Sequence, residues 1–211
     1  MHTDYAWDFD GTLCDSYPHI LRCFRQTLEE SGITDSDEHI LSHITVTVGK
    51  AITYYQEQFG APKNMYDRFH QLDEEPDWRF VTPFPGVLET LQEVKDKGGR
   101  NLLYTHRHQS VMRYLDHYGM TPLFSSFVTG EDRCAPKPAP DGLCLLMGRA
   151  KSAAGNLVMV GDRSIDIDAA WNAGAKSCFF NSNRQQIPPH ATWHVLDYRE
   201  LRAILDKIMA S

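Results

Sequence analysis

Trp7–Leu13, with the sequence WDFDGTL, is the stretch that decides the fold. Its two aspartates, Asp8 and Asp10, stand on alternate positions where an apolar run ends, and Gly11 follows with a turn. Alternate residues of an extended strand point the same way, so we expect both carboxylates to leave the strand end on one side. Two carboxylates held that close repel each other unless a cation or a shared proton intervenes. The stretch therefore predicts a site for a small hard cation such as Mg2+, which prefers oxygen ligands and leaves room for a substrate phosphate.

The size and composition of the chain are typical of a globular protein. Its 211 residues are enough for one domain that carries a smaller insert. Hydrophobic residues make up 42% and charged residues 23%, which are ordinary values. No run approaches the ~18 apolar residues that a membrane span requires. We therefore expect a soluble protein that does not act at a membrane.

The cysteines and the net charge narrow the cellular setting and the partners. Five cysteines are scattered without a Cys-x-x-Cys pair, so neither a disulfide framework nor a zinc knuckle is indicated. The first residues lack the basic region and apolar core of a signal peptide, and we expect a cytoplasmic protein. A net charge of -7 without a basic cluster disfavours nucleic acid as a partner and leaves a small molecule. The sequence leaves the oligomeric state open between monomer and homodimer.

Two different patterns follow the first strand. From residue 16 to about residue 81, apolar residues recur at helical spacing in short segments without a convincing strand. Two prolines and a glycine in Val81–Gly86 break this periodicity and end the block. We therefore predict a small all-helical cap domain at 16–81, inserted after the first strand of a core domain that is formed by 1–15 and 82–211.

Strands and helices alternate in the rest of the chain. Predicted strands lie at 101–105, 126–129, 157–161 and 177–181, with a short extended piece near 193–195, and helices fill the intervals. This alternation predicts an α/β fold, a Rossmann-like parallel sheet with helices on both faces. Ligands of such sheets bind beyond the carboxyl ends of the strands.

Polar motifs fall at or just beyond four of these strand ends. In chain order they are Asp8-x-Asp10-Gly-Thr, the strand-terminal Thr105, Lys137-Pro-x-Pro-Asp, and Gly-Asp162-x-x-x-Asp166. This series resembles the four motifs of the haloacid dehalogenase-like hydrolases, and the match extends from Tyr5 to about Asn181. The helical insert resembles the cap of the subgroup that includes phosphoglycolate phosphatase, pyrophosphatases and β-phosphoglucomutase.

The resemblance implies a catalytic role for the aspartates. Asp8 is the expected nucleophile, which forms an aspartyl-phosphate, and Asp10 is the expected general acid and base. The implied cofactor is Mg2+, held by the carboxylates of Asp8 and Asp162 and by the backbone carbonyl of Asp10, with Asp166 in support.

The resemblance also implies a phosphate-binding set. Gly11 belongs to the turn beside the phosphate, and Thr105 and the backbone amide of His106 are expected to donate hydrogen bonds to phosphate oxygens. Lys137 is expected to supply a fixed positive charge beside Asp8. Each residue alone also has an ordinary structural explanation, so only their common register at the strand ends favours the site.

Two features of the chain bear on substrate choice. The second motif of the family usually has Asn or a small residue after the Thr or Ser, whereas this chain has His106, Arg107 and His108. Three potentially cationic groups beyond the phosphate site would suit a substrate with a second anionic group, although solvated side chains at a helix start explain them equally well. Lys50, in a segment that resembles the active-site loop of phosphatase caps, is a further candidate for a substrate contact.

Two other spacings suggest chemistry without the rest of a site. His39 and His43 have the i, i+4 spacing of a helical metal pair, but no third ligand is recognisable. Cys178 and Arg184 have the Cys-x5-Arg spacing of cysteine phosphatases, but the interval contains no glycine to build an amide cradle. We expect ordinary surface or core positions for all four residues.

The resulting hypothesis is a Mg2+-dependent phosphatase that acts on a small phosphorylated metabolite, phosphoglycolate-like by resemblance, through an Asp8 phosphoenzyme. A sugar phosphomutase of the β-phosphoglucomutase type shares every core residue and differs in how water is excluded from the intermediate. A non-catalytic binding or regulatory protein on the same fold is the alternative from another class. Dehalogenation is disfavoured, because those relatives lack the second acid that Asp10 supplies.

Overall fold

The chain divides into two compact units in a computed structural model that describes residues 3–210. One unit contains the chain up to Cys14 and again from Pro83 onward, and the other spans Asp15–Thr82. We call them the α/β unit and the helical unit. The interpretation of the helical unit as a cap domain stays a prediction.

Short elements alternate along the described residues. The strands are β1 (Asp4–Trp7), β2 (Cys14–Asp15), β3 (Thr82–Pro83), β4 (Arg100–Tyr104), β5 (Phe124–Val128), β6 (Leu157–Gly161), β7 (Lys176–Phe180) and β8 (Trp193–Val195). The α-helices are α1 (Tyr17–Glu30), α2 (Asp37–Ile44), α3 (Val48–Phe59), α4 (Met65–Asp73), α5 (Val87–Asp96), α6 (Ser110–His117), α7 (Asp141–Ala150), α8 (Ser164–Asn172) and α9 (Tyr198–Met209). Within residues 3–210, no helix has both the length and the apolar character that crossing a membrane requires.

The α/β unit is built on a six-stranded sheet with the order β5-β4-β1-β6-β7-β8. Every neighbouring pair in this sheet is parallel, so the carboxyl ends of its strands meet at one edge. The predicted α/β class with a mostly parallel sheet is confirmed. Because β1 is central and the chain continues first to β4 on one side and later to β6 on the other, the strand order reverses beside β1. A crevice forms at such a switch point, beyond the carboxyl ends of the strands.

The two faces of β1 bury different side chains. Ala6 points into an apolar cluster that α7 and α8 share with the sheet. Tyr5 and Trp7, on the alternate positions, point to the opposite face, where Trp7 stacks on Tyr198 of α9 with ring centroids 6.1 Å apart. The indole of Trp7 also donates to Asn101 in β4, at 3.0 Å. Burial on both faces fixes the register of β1 and therefore the position of the residues that follow it.

A turn directly after β1 is held from two sides. Gly11 has a φ of +71°, in the left-handed region that favours glycine. Its backbone N–H donates to the carbonyl of Cys14 at 2.8 Å. The hydroxyl of Tyr198 donates to the carbonyl of Thr12 at 3.0 Å, so the C-terminal helix α9 anchors the same turn.

The helical unit has its own apolar core. Its members share the inward faces of α1 to α4 and include Phe24, Ile40, Tyr55 and Phe69. The ring of Phe24 lies 5.5 Å from that of Tyr55 and 5.8 Å from that of Phe69, measured between centroids. Phe59, the last residue of α3, is 47% exposed.

Two glycines of α7 test how tightly this helix packs on the sheet. A Cβ at Gly142 would lie 2.3 Å from the ring of Tyr104, whereas a Cβ at Gly148 would meet nothing within 4 Å. We expect Gly142→Ala to lower the free energy of unfolding by about 1–3 kcal/mol, because the buried ring has to shift. The matched change Gly148→Ala should raise it by up to about 1 kcal/mol through helix propensity. Urea denaturation measures both, and equal effects would contradict close packing of α7 on Tyr104.

Candidate active site

Three polar residues stand directly after neighbouring strands of the sheet. Asp8 follows β1, Thr105 follows β4 and Asp162 follows β6, and all three are at most 2% exposed. The backbone N–H of Asp8 donates to the carbonyl of Val160 at 2.9 Å, and that of Thr105 donates to Val128 at 3.1 Å. The sheet hydrogen bonds thus extend into the polar residues and hold them in register beside the switch point.

A fully buried lysine joins two of the carboxylates. The Nζ atom of Lys137 donates to Asp8 Oδ1 at 2.9 Å, to Asp166 Oδ1 at 2.7 Å and to the carbonyl of Tyr104 at 3.0 Å. These three acceptors match the three protons of an ammonium group. Lys137 precedes α7, so this one side chain ties the start of α7 to β1, β4 and α8.

Burial and charge act in opposite directions on this group of residues. Burial raises the pKa of Asp8, the neighbouring Asp166 raises it further, and Lys137 and Arg163 oppose both effects. Burial alone would lower the pKa of Lys137, but Asp166 and Asp8 outweigh it, so the net shift is upward. The lysine is therefore a fixed positive charge at neutral pH.

Arg163 is a contact of Asp8 that the sequence patterns did not predict. One of its guanidinium nitrogens, Nη2, lies 3.3 Å from Asp8 Oδ2, so the two carboxylate oxygens of Asp8 face two different cations. The backbone N–H of Arg163 donates to Asp166 Oδ2 at 3.1 Å. Asp166 therefore caps the start of α8 and binds Lys137 at the same time. The sequence feature that could have indicated this contact is the position of Arg163, which comes directly after Asp162 and before a helix.

The position of Arg107 in the second motif suggested a cation available to the substrate. In the structure, its guanidinium is paired with a carboxylate of the protein. Its guanidinium binds Asp10, with Nη2 at 2.9 Å and Nε at 3.1 Å from Asp10 Oδ1. The group lies 5.8 Å from the ring centroids of both Phe9 and Tyr114, and its side chain is 1% exposed. The positive charge of Arg107 is thus matched by Asp10 in this structure, and its contact with substrate stays a prediction.

The two histidines around Arg107 also have partners within the protein. His106 Nε2 accepts a hydrogen bond from the backbone N–H of Lys137 at 3.0 Å, which requires an unprotonated nitrogen. Burial, with a further contribution from Lys137, lowers the pKa of His106 to about 3. The ring is therefore neutral and positions Lys137. His108 pairs with Glu131 instead, with its Nδ1 3.1 Å from the carboxylate.

Three other residues that the sequence predicted to contact the substrate make hydrogen bonds with their neighbours in the chain. The amide of Gly11 donates to the carbonyl of Cys14 and so serves the turn, and the place of this turn beside a phosphate stays a prediction. The hydroxyl oxygen of Thr105 accepts from the amide of Arg107 at 3.1 Å, and its proton can still be donated to an anion. Lys50 lies in the helical unit, where its amide donates to the N-cap residue Thr47 and its side chain is exposed. Its proposed substrate contact stays a prediction.

Asp8, Asp162 and Asp166 are close enough to hold a metal ion. One carboxylate oxygen from each lies within 4.8 Å of the others, and all three side chains are buried. The hydroxyl of Thr12 lies 3.4 Å from Asp162 Oδ1 and helps to orient it. The carboxylate of Asp10 faces Arg107 instead, so any part of Asp10 in metal binding would come from its backbone carbonyl.

The formal charges of this cluster fit a divalent cation. Its three carboxylates face two cations, the buried Lys137 and the partly exposed Arg163, so one negative charge remains when all are ionised. Uncompensated charge is costly in a buried setting, and a divalent ion would convert the excess into a positive charge that attracts a phosphate. The oxygen-only donor set suits Mg2+. The residues present therefore fit the cofactor that the sequence predicted.

The other spacings noted in the sequence do not form this kind of site. His39 binds Asp35 through Nδ1 at 2.6 Å, and the ring of His43 stacks on Tyr54 with centroids 4.0 Å apart. Cys178 is fully buried in β7, and burial raises the pKa of its thiol to about 12. A thiol of that kind is not ionised at neutral pH and makes a poor nucleophile.

The comparisons with known proteins agree with this geometry. The chain belongs to the haloacid dehalogenase-like hydrolase family, whose model matches residues 5–180. Phosphoglycolate phosphatase of Cereibacter sphaeroides is 26% identical over 200 residues, which cover 90% of this chain and 89% of that protein. Pyrophosphatase PpaX of Oceanobacillus iheyensis is 27% identical over 172 residues, covering 81% and 79%. A solved structure from Bacteroides fragilis, 24% identical, covers 95% of this chain and all of its own with a TM-score of 0.84.

Replacing the buried lysine tests the electrostatics of the site. We expect Lys137→Met, kept free of metal with EDTA, to lower the free energy of unfolding by about 3–5 kcal/mol at about pH 7.5, the usual cost of a buried charge without its partner. The pKa of Asp8 is already raised in the folded protein, and loss of the ammonium raises it further. The folded variant then binds a proton more tightly than the unfolded chain, so its deficit should shrink as the pH falls.

Urea denaturation at about pH 7.5 and about pH 5.5 measures the deficit relative to the unmodified protein. The control is Lys207→Met, which removes an exposed lysine from α9. A deficit for Lys137→Met that stays constant between the two pH values, or that the control reproduces, would contradict the proposed coupling to Asp8.

Proposed function

We propose that the protein is a Mg2+-dependent phosphatase that hydrolyses a small phosphorylated metabolite through an aspartyl-phosphate on Asp8. The observation that best supports this is the environment of the Asp8 carboxylate. It is buried at the switch point of the sheet, and its two oxygens face Lys137 and Arg163, at 2.9 and 3.3 Å. Such a group can approach a phosphate dianion, because the neighbouring cations offset the repulsion between two anions.

The proposed reaction has two displacements at phosphorus. In the first, an oxygen of Asp8 attacks the phosphorus, the ester bond breaks, and the leaving oxygen takes a proton from Asp10. In the second, Asp10 accepts a proton from water as the water oxygen attacks the phosphorus of the aspartyl-phosphate. The bond to Asp8 then breaks, which releases inorganic phosphate and restores the carboxylate. Through both steps, the positive charge of Lys137 stabilises the negative charge of Asp8 and the phosphoryl group. The hydroxyl of Thr105 donates a hydrogen bond to a phosphate oxygen and keeps it in position.

We assign the Mg2+ site to the strand-end aspartates. The ion would be held by the carboxylates of Asp8 and Asp162 and by the backbone carbonyl of Asp10, with Asp166 in support. When bound, the ion supplies charge neutralisation and orientation of the transferred phosphoryl group. The carboxylate cluster and its excess of one negative charge support this assignment.

Arg107 has a positioning role in this proposal. Its ion pair with Asp10 fixes the rotamer of the carboxylate before substrate arrives. The Asp10 side chain is 18% exposed in this ion pair, so its carboxylate can still exchange protons with water. Proton transfer by Asp10 then requires that the guanidinium of Arg107 move away from the carboxylate when the substrate enters.

The substrate that we propose is a small phosphate monoester of the phosphoglycolate type. The named relatives support this choice, since they include phosphoglycolate phosphatases that match most of the chain. Lys50 and the rest of the helical unit are the part of the chain to which we assign substrate selection. The five cysteines are free in the structure, which supports a reducing, cytoplasmic setting.

Replacing the proposed nucleophile is the first test of this function. Asp8→Asn should lower the Mg2+-dependent hydrolysis of p-nitrophenyl phosphate by on the order of 1,000-fold or more, because the amide cannot form the intermediate. The matched control is Cys178→Ala, which removes the thiol of the cysteine-phosphatase spacing and should leave the rate within about twofold. Substantial activity in Asp8→Asn, or its loss in a folded Cys178→Ala protein, would reject Asp8 as the nucleophile.

A second test separates the two roles considered for Arg107. If it positions Asp10, Arg107→Met should lower kcat for p-nitrophenyl phosphate and phosphoglycolate alike, with little change in KM. If it binds a second anionic group of the substrate, KM for phosphoglycolate should rise while p-nitrophenyl phosphate is unaffected. The second pattern would contradict the positioning role. His108→Gln, which changes the neighbouring exposed side chain, should leave both substrates unchanged.

A panel of phosphate monoesters distinguishes the phosphatase from the phosphomutase. We expect stoichiometric release of inorganic phosphate, with the highest kcat/KM for a small carboxylate-bearing monoester. A hexose phosphate supplied with its bisphosphate should give free phosphate and not an isomer. Isomer formation without phosphate release would favour the mutase, and a folded protein that is inert toward the whole panel would favour a binding role.

A further inference from the structure

A second cluster of metal-binding side chains lies in the helical unit. His19 and Cys23 stand one turn apart on α1, so they share a face of that helix. Asp73, the last residue of α4, meets them there, since α1 and α4 pack against each other. The three residues are 2%, 6% and 6% exposed. This group combines nitrogen, sulfur and oxygen donors and has no part in the proposed phosphatase chemistry.

The distances between the donor atoms match the edges of a coordination tetrahedron. Cys23 Sγ lies 3.6 Å from His19 Nε2, and His19 Nε2 lies 3.5 Å from Asp73 Oδ1. With the usual Zn2+ bond lengths and tetrahedral angles, the expected edges are about 3.5 Å for nitrogen to sulfur and about 3.3 Å for nitrogen to oxygen. All three donor atoms lie within 4.8 Å of one another. One ion could therefore reach all of them with only small side-chain movements.

The charges of the cluster also suit a divalent ion. A cysteine thiolate and an aspartate carboxylate carry two negative charges, and a neutral imidazole adds none. A divalent cation would make the buried complex neutral, which avoids the cost of burying net charge. Thiolate and imidazole are ligands that Zn2+ prefers and Mg2+ does not, so this cluster differs in selectivity from the carboxylates of the α/β unit.

We propose that His19, Cys23 and Asp73 form a Zn2+ site in the helical unit, with water in the fourth position. The ion would join the first helix of this unit to the end of its last helix, through residues as far apart in sequence as His19 and Asp73, which are 54 positions apart. Metal binding would then add to the stability of the helical unit, because the unfolded chain does not hold the three donors together.

A metal-free explanation of the same cluster makes a different prediction. His19 Nε2 also lies 3.4 Å from the backbone carbonyl of Asp73, so the three side chains could serve only as a hydrogen-bonded part of the core. In that case the cluster should not bind a metal, and its substitution should affect stability equally with or without metal.

Co2+ is a suitable probe, because it takes the coordination geometry of Zn2+ and reports its ligands by absorption. The experiment uses the full chain, stripped with EDTA and supplied with excess Mg2+ to occupy the carboxylate cluster. We expect one equivalent of Co2+ to produce a thiolate-to-metal charge-transfer band in the near ultraviolet and the visible bands of a tetrahedral site. One equivalent of Zn2+ should remove both. Absence of the charge-transfer band in the unmodified protein would overturn the proposal.

Variants assign the band to particular side chains. Cys23→Ser and Asp73→Asn should each weaken binding at least about tenfold, and Cys23→Ser should abolish the charge-transfer band. Cys144→Ser, at an exposed cysteine, and His43→Gln, in the histidine pair of α2, should retain it. A band that persists in Cys23→Ser or disappears in Cys144→Ser would overturn the assignment. Should Cys23→Ser fail to fold, retention of the band by a Cys134→Ser, Cys144→Ser double variant excludes the two less buried cysteines.

Thermal unfolding gives an independent measurement. Zn2+ should raise the melting temperature of the unmodified protein and of Cys144→Ser, but not that of a folded Asp73→Asn variant. An equal rise in all three proteins would place Zn2+ binding elsewhere and would contradict the proposed site.

Discussion

The buried ammonium group of Lys137 is the interaction on which the α/β unit depends. It donates to Asp8, to Asp166 and to the carbonyl of Tyr104, and so connects the ends of β1 and β4 with the start of α8. Removing three charged groups from water is expensive, and the attraction between them offsets that cost only when the geometry is good. The sheet supplies this geometry, because its parallel strands end at one edge with their backbone hydrogen bonds continued into the polar residues.

The two aspartates of the first motif have different surroundings. Asp8 is fully buried and faces two cations, whereas Asp10 is partly exposed and faces Arg107. A carboxylate whose charge is offset on both oxygens is suited to approach an anionic phosphate, and a carboxylate near solvent is suited to exchange protons. The difference arises from their neighbours at other strand ends, since both residues come from one short stretch of sequence.

The sequence predicted the α/β class and the strand-end location of Asp8, Thr105 and Asp162, because alternating hydrophobic patterns and turn residues are local signals. The expected strand-end position of Lys137 was wrong, because this residue lies in the segment that leads into α7. Apart from Lys137 beside Asp8, which the family resemblance implied, the sequence did not predict the partners of these residues. Arg107 and Asp10 are 97 positions apart, and nothing in either segment indicates that the guanidinium turns back toward the first strand. The neutral state of His106 likewise depends on burial and on the amide of Lys137, which only the folded chain brings near. The cluster in the helical unit shows the same limit: the spacing of its two α1 residues is visible in the sequence, whereas the aspartate comes from a distant helix.

The stereochemical course at phosphorus tests the central claim, the covalent intermediate on Asp8, most directly. Each in-line displacement inverts the configuration of the transferred phosphoryl group. Hydrolysis of a phosphorothioate monoester, made chiral at phosphorus with sulfur and two isotopes of oxygen, in water that carries the third isotope, reports the number of displacements. Two displacements through Asp8 predict net retention of configuration in the released thiophosphate. Net inversion would mean that water attacks the substrate directly, and it would contradict a phosphoenzyme on Asp8.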